Sequence, residues 1–188
     1  SRVYWSLSLF TLSLLSSEAG ICVLAYLLAW NMVFEENWSR RIWSLLPFLA
    51  IVIVWRIAYN VMGFGEWGTG IYDDPLSDLM NFLAMMMQRL PTLMLGLWTQ
   101  FPSDVSVCLP SSWMMVMALT GALVCLILYR QFGAFIRHDL HVRFWFLGML
   151  LSLIPLCATI PMNRLLFFPG LGAFATLGLF LSRRARPT

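Results

Sequence analysis

Two ionisable residues stand inside long apolar stretches of this chain, and they are the first candidates for chemistry. Glu18 lies near the middle of "LSLFTLSLLSSEAGICVLAYLLAWNMV", residues 7–33, and Arg56 lies inside "IWSLLPFLAIVIVWRIAYNVM", residues 42–62. Charges in a membrane are costly, so such residues face a bundle interior or a wet cavity and pair with each other. We expect Glu18 and Arg56 to support the bundle as a contact between neighbouring helices, or else to act directly in a site.

Asp73 and Asp74 are adjacent carboxylates in the glycine-rich loop "GFGEWGTGIYDDPLSD". Such a pair can hold a divalent metal or act as a general base, which makes both residues weak catalytic candidates. In the alternative interpretation Asp74 caps the next helix, Pro75 is that helix's first residue, and Asp73 is solvated.

Two arginines are candidates for binding a lipid phosphate. Arg164 lies in the four-residue turn "PMNR" between two apolar stretches, where a guanidinium can clamp a phosphate bidentately. Arg89, in the segment 79–101, is the weaker candidate. The alternative for Arg164 is an anchoring role at the membrane interface.

The cysteines and histidines do not suggest a metal site. The four cysteines show no CxxC spacing, and three lie in apolar segments, where cysteine acts as a small hydrophobe. His138 and His141, with Asp139, are too few for a metal and fit a solvated basic loop. A divalent metal is expected only if the protein is an enzyme.

The elements that must position these residues are transmembrane helices. Sixty per cent of the 188 residues are hydrophobic and 11% are charged, a composition typical of a polytopic all-α membrane protein. We predict one transmembrane domain over 1–188, and the start at Ser1 without Met predicts a piece of a longer protein. The apolar stretches predict five spans, at about 4–34, 42–62, 113–132, 144–160 and 165–182.

Arginine positions predict the topology. All 12 basic residues are arginine, and eight of them form three groups, after the first span, around the loop 130–143 and at the end of the chain. The positive-inside rule places all three groups in the cytoplasm only if residues 79–101 do not cross the membrane. That segment is therefore predicted to be an interfacial or re-entrant amphipathic helix, broken or kinked at Pro91; the alternative is a tilted span with Arg89 buried by its neighbours.

This topology predicts a multi-pass protein of a bacterial inner membrane, with the N-terminus, the aspartate loop and the "PMNR" turn on the outer side. Because the arginines are scattered at helix ends and form no basic face, nucleic acid is not expected as a partner.

Three stretches together resemble GT-C glycosyltransferase-like membrane proteins, the class of protein O-mannosyltransferases and their TPR-bearing relatives. They are "LLSSEAGICVLAYLLAW", "DDPLSDLMNFLAMMMQRLPTLMLGLWTQFPSDV" and "SLIPLCATIPMNRLLFFPGLGAFATLGLF", in the family's order over nearly the whole chain. Residue by residue, the resemblance carries over to Glu18 and Arg164 only. Ser17 replaces the family's lysine, and Asn163 replaces the acid that precedes the arginine.

The resemblance implies sugar transfer from a polyprenyl-phosphate donor at the outer face, with the catalytic acidic motif in a loop upstream of Ser1. It implies a bundle in which Arg164 binds the lipid phosphate and Glu18 marks the family. The alternative is a non-catalytic integral subunit of a larger membrane assembly, whose partners would be other membrane proteins. A transporter ranks third, because five spans without an inverted repeat do not suit one.

Overall fold

The computed structural model of the protein describes residues 2–64, 72–73 and 75–184. These residues form an all-α structure. Its seven α-helices are α1 (Arg2–Ser16), α2 (Cys22–Phe34), α3 (Trp38–Val61), α4 (Leu79–Thr99), α5 (Ser111–His138), α6 (Leu140–Leu156) and α7 (Phe167–Arg184). Short 3-10 helices at Glu18–Ile21, Ser103–Val107 and Asn163–Leu166 lie in the connections.

Three helical stretches, Trp38–Val61, Ser112–His138 and Asn163–Arg184, are long and apolar enough to cross a membrane. Three shorter apolar helices, Val3–Ser16, Glu18–Phe34 and Leu140–Leu156, accompany them. By length and composition the chain is therefore a helical membrane protein, as the sequence predicts. The count of five spans stays a prediction.

Those members of the arginine groups that the structure describes lie toward one end of the bundle, which we call the arginine-rich end. There the Phe34 ring contacts the His141 ring, with centroids 5.6 Å apart, and Asp139 forms an ion pair with Arg183. The Arg41 guanidinium donates a hydrogen bond of 2.5 Å to the Glu35 carbonyl. The end of α2, the α5–α6 junction and the end of α7 therefore meet here.

The predicted first span is wrong as a single helix, because the chain reverses at residues 17–21. Ser17 leaves the helix with an extended backbone, φ −162° and ψ 141°. Gly20 then lies against the backbone of Ser13, where a Cβ atom would be 2.7 Å from the Ser13 carbonyl group. Only glycine permits that approach, and it lets α2 turn away from α1.

The reversal also overturns the predicted position of Glu18 and of the start of the chain. Phe10 packs on Phe48 and Glu18 bonds to Tyr59, so α1 runs in the same direction as α3. Glu18 therefore begins the exposed 3-10 turn at the end opposite the arginine-rich end and does not lie in the middle of an α-helix. The first residues of α1 point toward the arginine-rich end, not away from it.

Helix α4 differs from its prediction in two details. It begins at Leu79 with Asp78 as the N-cap, whose carboxylate accepts the Asn81 N–H at 3.0 Å, so the predicted start at Pro75 is wrong. The helix also continues through Pro91 to Thr99 instead of breaking there.

The direction of α4 follows from its contacts with α5. Pro91 lies against Gly121, where any Cβ would clash with the Pro91 carbonyl, and Trp98 stacks near Phe132. Both helices therefore run the same way, and residues 100–110 must bring the chain back to the end at which α4 began. That residues 79–101 do not cross the membrane stays a prediction.

The core lies between α2, α4, α6 and α7, whereas α3 stands at the periphery. Fully buried Leu93, Met149 and Leu153 form its centre. The Tyr26 hydroxyl of α2 donates to the Phe168 carbonyl at 2.6 Å and accepts the Gly172 N–H at 3.0 Å, which fixes α7 to α2. The burial of these apolar side chains stabilises the packing of α2, α4, α6 and α7 against one another. In α3, by contrast, Leu45 is the one buried residue.

Asp139 links α6 to α7 at the arginine-rich end. Its carboxylate accepts the N–H groups of His141 and Val142, capping α6, and it pairs with Arg183 of α7. Burial raises the pKa of this carboxyl, but the bonds from Val142 and His141 and the charge of Arg183 outweigh burial, so its pKa lies below the ordinary value.

This pKa predicts a pH dependence of stability. Asp139→Asn keeps an oxygen for the cap but loses the charge, so it should destabilise by up to about 1 kcal/mol at pH 7. Because the folded-state pKa of Asp139 is lowered, the wild type should be more stable than Asp139→Asn above about pH 4. This difference in stability should be lost as the pH falls through the lowered pKa. Thermal unfolding in detergent from pH 7 to pH 3 measures it. A difference in stability between the wild type and Asp139→Asn that is independent of pH would contradict the prediction.

Candidate functional site

Arg89 is the centre of a polar cluster at the end opposite the arginine-rich end. Its guanidinium lies 2.5 Å from the Asp73 carboxylate and donates to the Cys157 carbonyl at 2.9 Å. The Asn81 side chain donates to Asp73 at 2.9 Å, and the Asp73 N–H donates to the Ala158 carbonyl at 2.8 Å. The cluster thus ties the loop before α4, α4 itself and the end of α6 together.

This geometry brings two predicted site residues together in a structural role. Asp73 and Arg89 are 21% and 12% exposed, so their mutual contact is largely shielded from water. A carboxylate held by a guanidinium and an amide is a poor general base, since its lone pairs are already engaged. Asp74, its predicted partner, lies outside the described residues.

The sequence predicts a contact between Glu18 and Arg56, and in the structure Tyr59 contacts both residues. The Tyr59 hydroxyl donates a short hydrogen bond to Glu18 Oε1, and the Arg56 guanidinium carbon lies 5.7 Å from the centroid of the Tyr59 ring. Both charged groups therefore converge on one phenol at the end of α3. The turn at residues 17–21 is connected to α3 through this phenol.

Asn163 connects the last turn to the segment after α4. Its Oδ1 accepts the N–H and the hydroxyl of Ser103, at 2.9 and 2.7 Å. Its own backbone N–H donates to the Asp104 carboxylate at 3.2 Å. Gly96 makes room for this amide, because a Cβ there would be 3.0 Å from Asn163 Oδ1.

A cavity of about 270 Å³ opens beside Asn163, and Arg164 stands at it. Gln100 and Arg164 provide polar groups, and the remaining lining is mostly apolar. The lining residues are Gly96, Leu97, Gln100, Asn163, Arg164, Leu166, Phe167, Gly170 and Phe174. Arg164 is exposed, and its guanidinium makes no hydrogen bond or ion pair within the described residues. The site thus combines an available cation with a cavity whose lining is partly polar and partly apolar.

Sequence reasoning missed three residues of this end. Tyr59 follows Arg56 by three positions, a helical spacing that indicates their contact, although its bond to Glu18 depends on the fold. Asn163 lies in a short turn, and its sequence context indicates only that it departs from the family pattern. Gln100 ends α4 in the left-handed conformation with φ 58°, which no local pattern predicts.

A divalent metal is expected only if the protein is an enzyme, and it would need several oxygen, nitrogen or sulfur ligands from side chains. No group of three or more His, Cys, Asp or Glu residues that could hold an ion occurs in the part of the chain that the structure describes. The single carboxylate of Asp73 beside the Arg89 cation is not a metal-binding donor set. We therefore assign no metal ligands.

Comparison with known proteins adds no family assignment. No protein-family model, curated protein or solved structure matches the chain. The GT-C relationship therefore stays a prediction that rests on the three motifs.

The Asp73–Arg89 contact can be measured with a double-mutant cycle. Asp73→Asn or Arg89→Gln alone leaves a shielded charge without its partner, so each should destabilise by about 2 kcal/mol. The double variant should lose less than the sum, with a coupling of about 1–3 kcal/mol in denaturant titrations of the purified protein. Asp73→Asn combined with Arg130→Gln, on the far part of α5, should be additive. Additivity of Asp73→Asn with Arg89→Gln would show that the two side chains do not interact.

Proposed function

We propose that this chain is the lipid-binding transmembrane part of a GT-C-like protein that transfers a sugar from a polyprenyl-phosphate donor at the outer face of a bacterial inner membrane. The observation that carries the proposal is the exposed Arg164 beside a cavity of about 270 Å³ that has both polar and apolar lining residues. A polyprenyl phosphate offers this combination: an anionic head and an apolar chain.

Arg164 would bind the phosphate through two parallel N–H···O bonds, the geometry that a guanidinium offers to a phosphate. Leu97, Phe167 and Phe174 would contact the first part of the lipid chain, and the Gln100 amide would donate to a phosphate or sugar oxygen. In the transfer, the acceptor oxygen bonds to the anomeric carbon while the carbon–oxygen bond to the phosphate breaks. Arg164 would stabilise the negative charge that develops on the departing phosphate.

The base that takes the acceptor's proton is assigned to the upstream region, where the family resemblance implies an acidic motif. Asp73 is a poor choice because Arg89 and Asn81 already engage its carboxylate. In this proposal the described residues bind and orient the donor, and the segments tied together by Arg89 hold the walls of the site.

The role of Arg164 predicts a defined binding loss. Arg164→Ala should weaken binding of a polyprenyl phosphate about tenfold or more, because a charge-assisted contact worth roughly 1.5–3 kcal/mol is removed. Arg164→Lys should retain part of the affinity, since it keeps the charge but not the paired donors. Binding is measured in detergent micelles by the quenching of tryptophan fluorescence or by calorimetry.

Two controls make this test specific. Arg130→Ala, an exposed arginine on α5, should leave binding unchanged. The corresponding polyprenol without phosphate should bind the wild type and Arg164→Ala equally. If Arg164→Ala binds the phosphate as tightly as the wild type, the proposed function loses its support.

A second candidate is a non-catalytic integral subunit of a larger membrane assembly. The observation that favours it is the engagement of Asp73, which leaves this carboxylate unsuited to act as a base. Exposed apolar side chains along α3, such as Ile53, Ile57 and Val61, could meet either lipid or a partner helix. Native purification from the membrane should then give a complex of fixed stoichiometry, observed by native mass spectrometry. A full-length protein that purifies alone and binds the donor would argue for the first candidate.

A further inference from the structure

The α5–α6 junction at the arginine-rich end carries two arginines whose side chains are held in place by neutral groups. The Arg137 guanidinium donates to the Tyr129 hydroxyl at 2.8 Å, and the Arg143 guanidinium donates to the Arg137 carbonyl at 2.8 Å. Both arginines are exposed. Each contact engages one of the five N–H groups of a guanidinium, so both cations keep most of their donors for a ligand.

The two guanidiniums lie at different levels of α5. The Tyr129 ring lies beside Gly133, where a Cβ atom would be 3.8 Å from the ring, so Arg137 reaches back along its own helix to meet the hydroxyl. Arg143 instead lies at the carbonyl end of α5. Since Gly133 precedes Arg137 by four residues, about 6 Å separate the two cations along the helix axis.

Neither arginine has a carboxylate partner within the part of the chain that the structure describes. Helix α5 contains no acidic residue, and Asp139 is buried and already paired with α7. Phe34 contacts His141, and residues two positions apart point to opposite sides of a helix, so the Glu35–Glu36 connection meets the side of α6 that faces away from Arg143. The positive charge of this pair is therefore uncompensated.

The pair lies where α5 leaves its apolar stretch. The helical stretch Ser112–His138 is long and apolar enough to cross a membrane, and Tyr129 ends its apolar run, at the level where aromatic side chains mark an interface. Exposed apolar side chains lead toward Arg137 on the same face of α5; they are Leu119, Leu123, Leu126 and Ile127. A lipid whose phosphates meet the arginines would thus lay its acyl chains along an apolar surface.

Two cations at this spacing distinguish between lipid classes. A zwitterionic head brings its own ammonium toward the guanidiniums, and like charges disfavour that contact. A lipid with one phosphate can pair closely with one guanidinium and leaves the second without an anion. A lipid whose two phosphates are joined by a single glycerol offers one anion to each guanidinium, and its second contact forms within the same molecule. The complementary lipid is therefore a doubly anionic one of the cardiolipin type.

We propose that the α5–α6 junction binds one molecule of cardiolipin, with one phosphate on Arg137, the other on Arg143 and acyl chains along the exposed face of α5. Tyr129 is a positioning residue, since its hydroxyl holds the Arg137 guanidinium back toward the apolar stretch. This site is separate from the Arg164 cavity and does not depend on the proposed glycosyltransferase function.

Native mass spectrometry of the delipidated full chain tests the proposal. The protein is titrated with cardiolipin, phosphatidylglycerol and phosphatidylcholine of identical acyl chains. The wild type should bind one cardiolipin about tenfold or more tightly than either other lipid, and Arg137→Gln or Arg143→Gln should reduce its affinity to about that for phosphatidylglycerol. Arg130→Gln removes an exposed arginine of α5 that no hydrogen bond or ion pair within the described residues holds in place. It should weaken cardiolipin binding by about threefold at most, because it removes only general attraction.

A second pair of variants separates a formed site from general attraction between charges. Tyr129→Phe keeps every charge but releases Arg137, so it should reduce the preference for cardiolipin over phosphatidylglycerol about threefold or more. Tyr4→Phe, the same change at an exposed tyrosine of α1, should preserve the preference. Each variant is also melted in detergent without lipid, and an unchanged Tm shows that a loss of binding is not a loss of folding.

Four results would overturn the proposal. Phosphatidylglycerol could bind as tightly as cardiolipin, or Arg130→Gln could weaken cardiolipin binding as much as Arg137→Gln does. Tyr129→Phe could leave the preference for cardiolipin unchanged. Arg164→Ala could weaken cardiolipin binding, in which case the Arg164 cavity would be the site of this lipid.

Discussion

The guanidinium of Arg89 joins segments that are distant in sequence, and the end of the bundle that carries the site depends on it. It holds Asp73 of the preceding loop and the Cys157 carbonyl that ends α6, while its own helix packs along α5. A charge that is 12% exposed needs such partners, because an unpaired guanidinium there would cost several kcal/mol. The same contact that stabilises this end also withdraws Asp73 from chemistry and leaves Arg164 as the available cation at the cavity.

The course of α4 explains why a cavity exists beside Arg164. Since α4 and α5 run in the same direction, residues 100–110 must bring the chain back between them. Asn163 stabilises this segment through hydrogen bonds with Ser103 and Asp104. The glycine at position 96 admits the Asn163 amide, and Gln100 turns the chain with a positive φ. Two short 3-10 turns therefore meet where continuous α-helices would have packed closely, and the space between them is lined by polar groups and by the apolar start of α7.

The molecule has a tightly packed part and a loosely packed part. Tyr26 locks α2 to α7 within the buried core, whereas α3 meets its neighbours mainly through exposed or half-buried contacts. The Arg164 cavity lies on the tightly packed part, which would favour the precise positioning that the proposed phosphate site needs.

Composition and arginine placement determined the class of protein and the grouping of its charges, because apolar length and basic helix ends follow from one-dimensional patterns. They also predicted α3, α5 and α7 closely and located Arg164 in its turn. The reversal at Ser17 was not predictable: "LLSSEAG" reads as continuous with its apolar flanks, and only the close approach of Gly20 to Ser13 selects a turn. The pairing of Asp73 with Arg89 and of Glu18 with Tyr59 likewise needed the tertiary structure, since it joins side chains that no local periodicity relates.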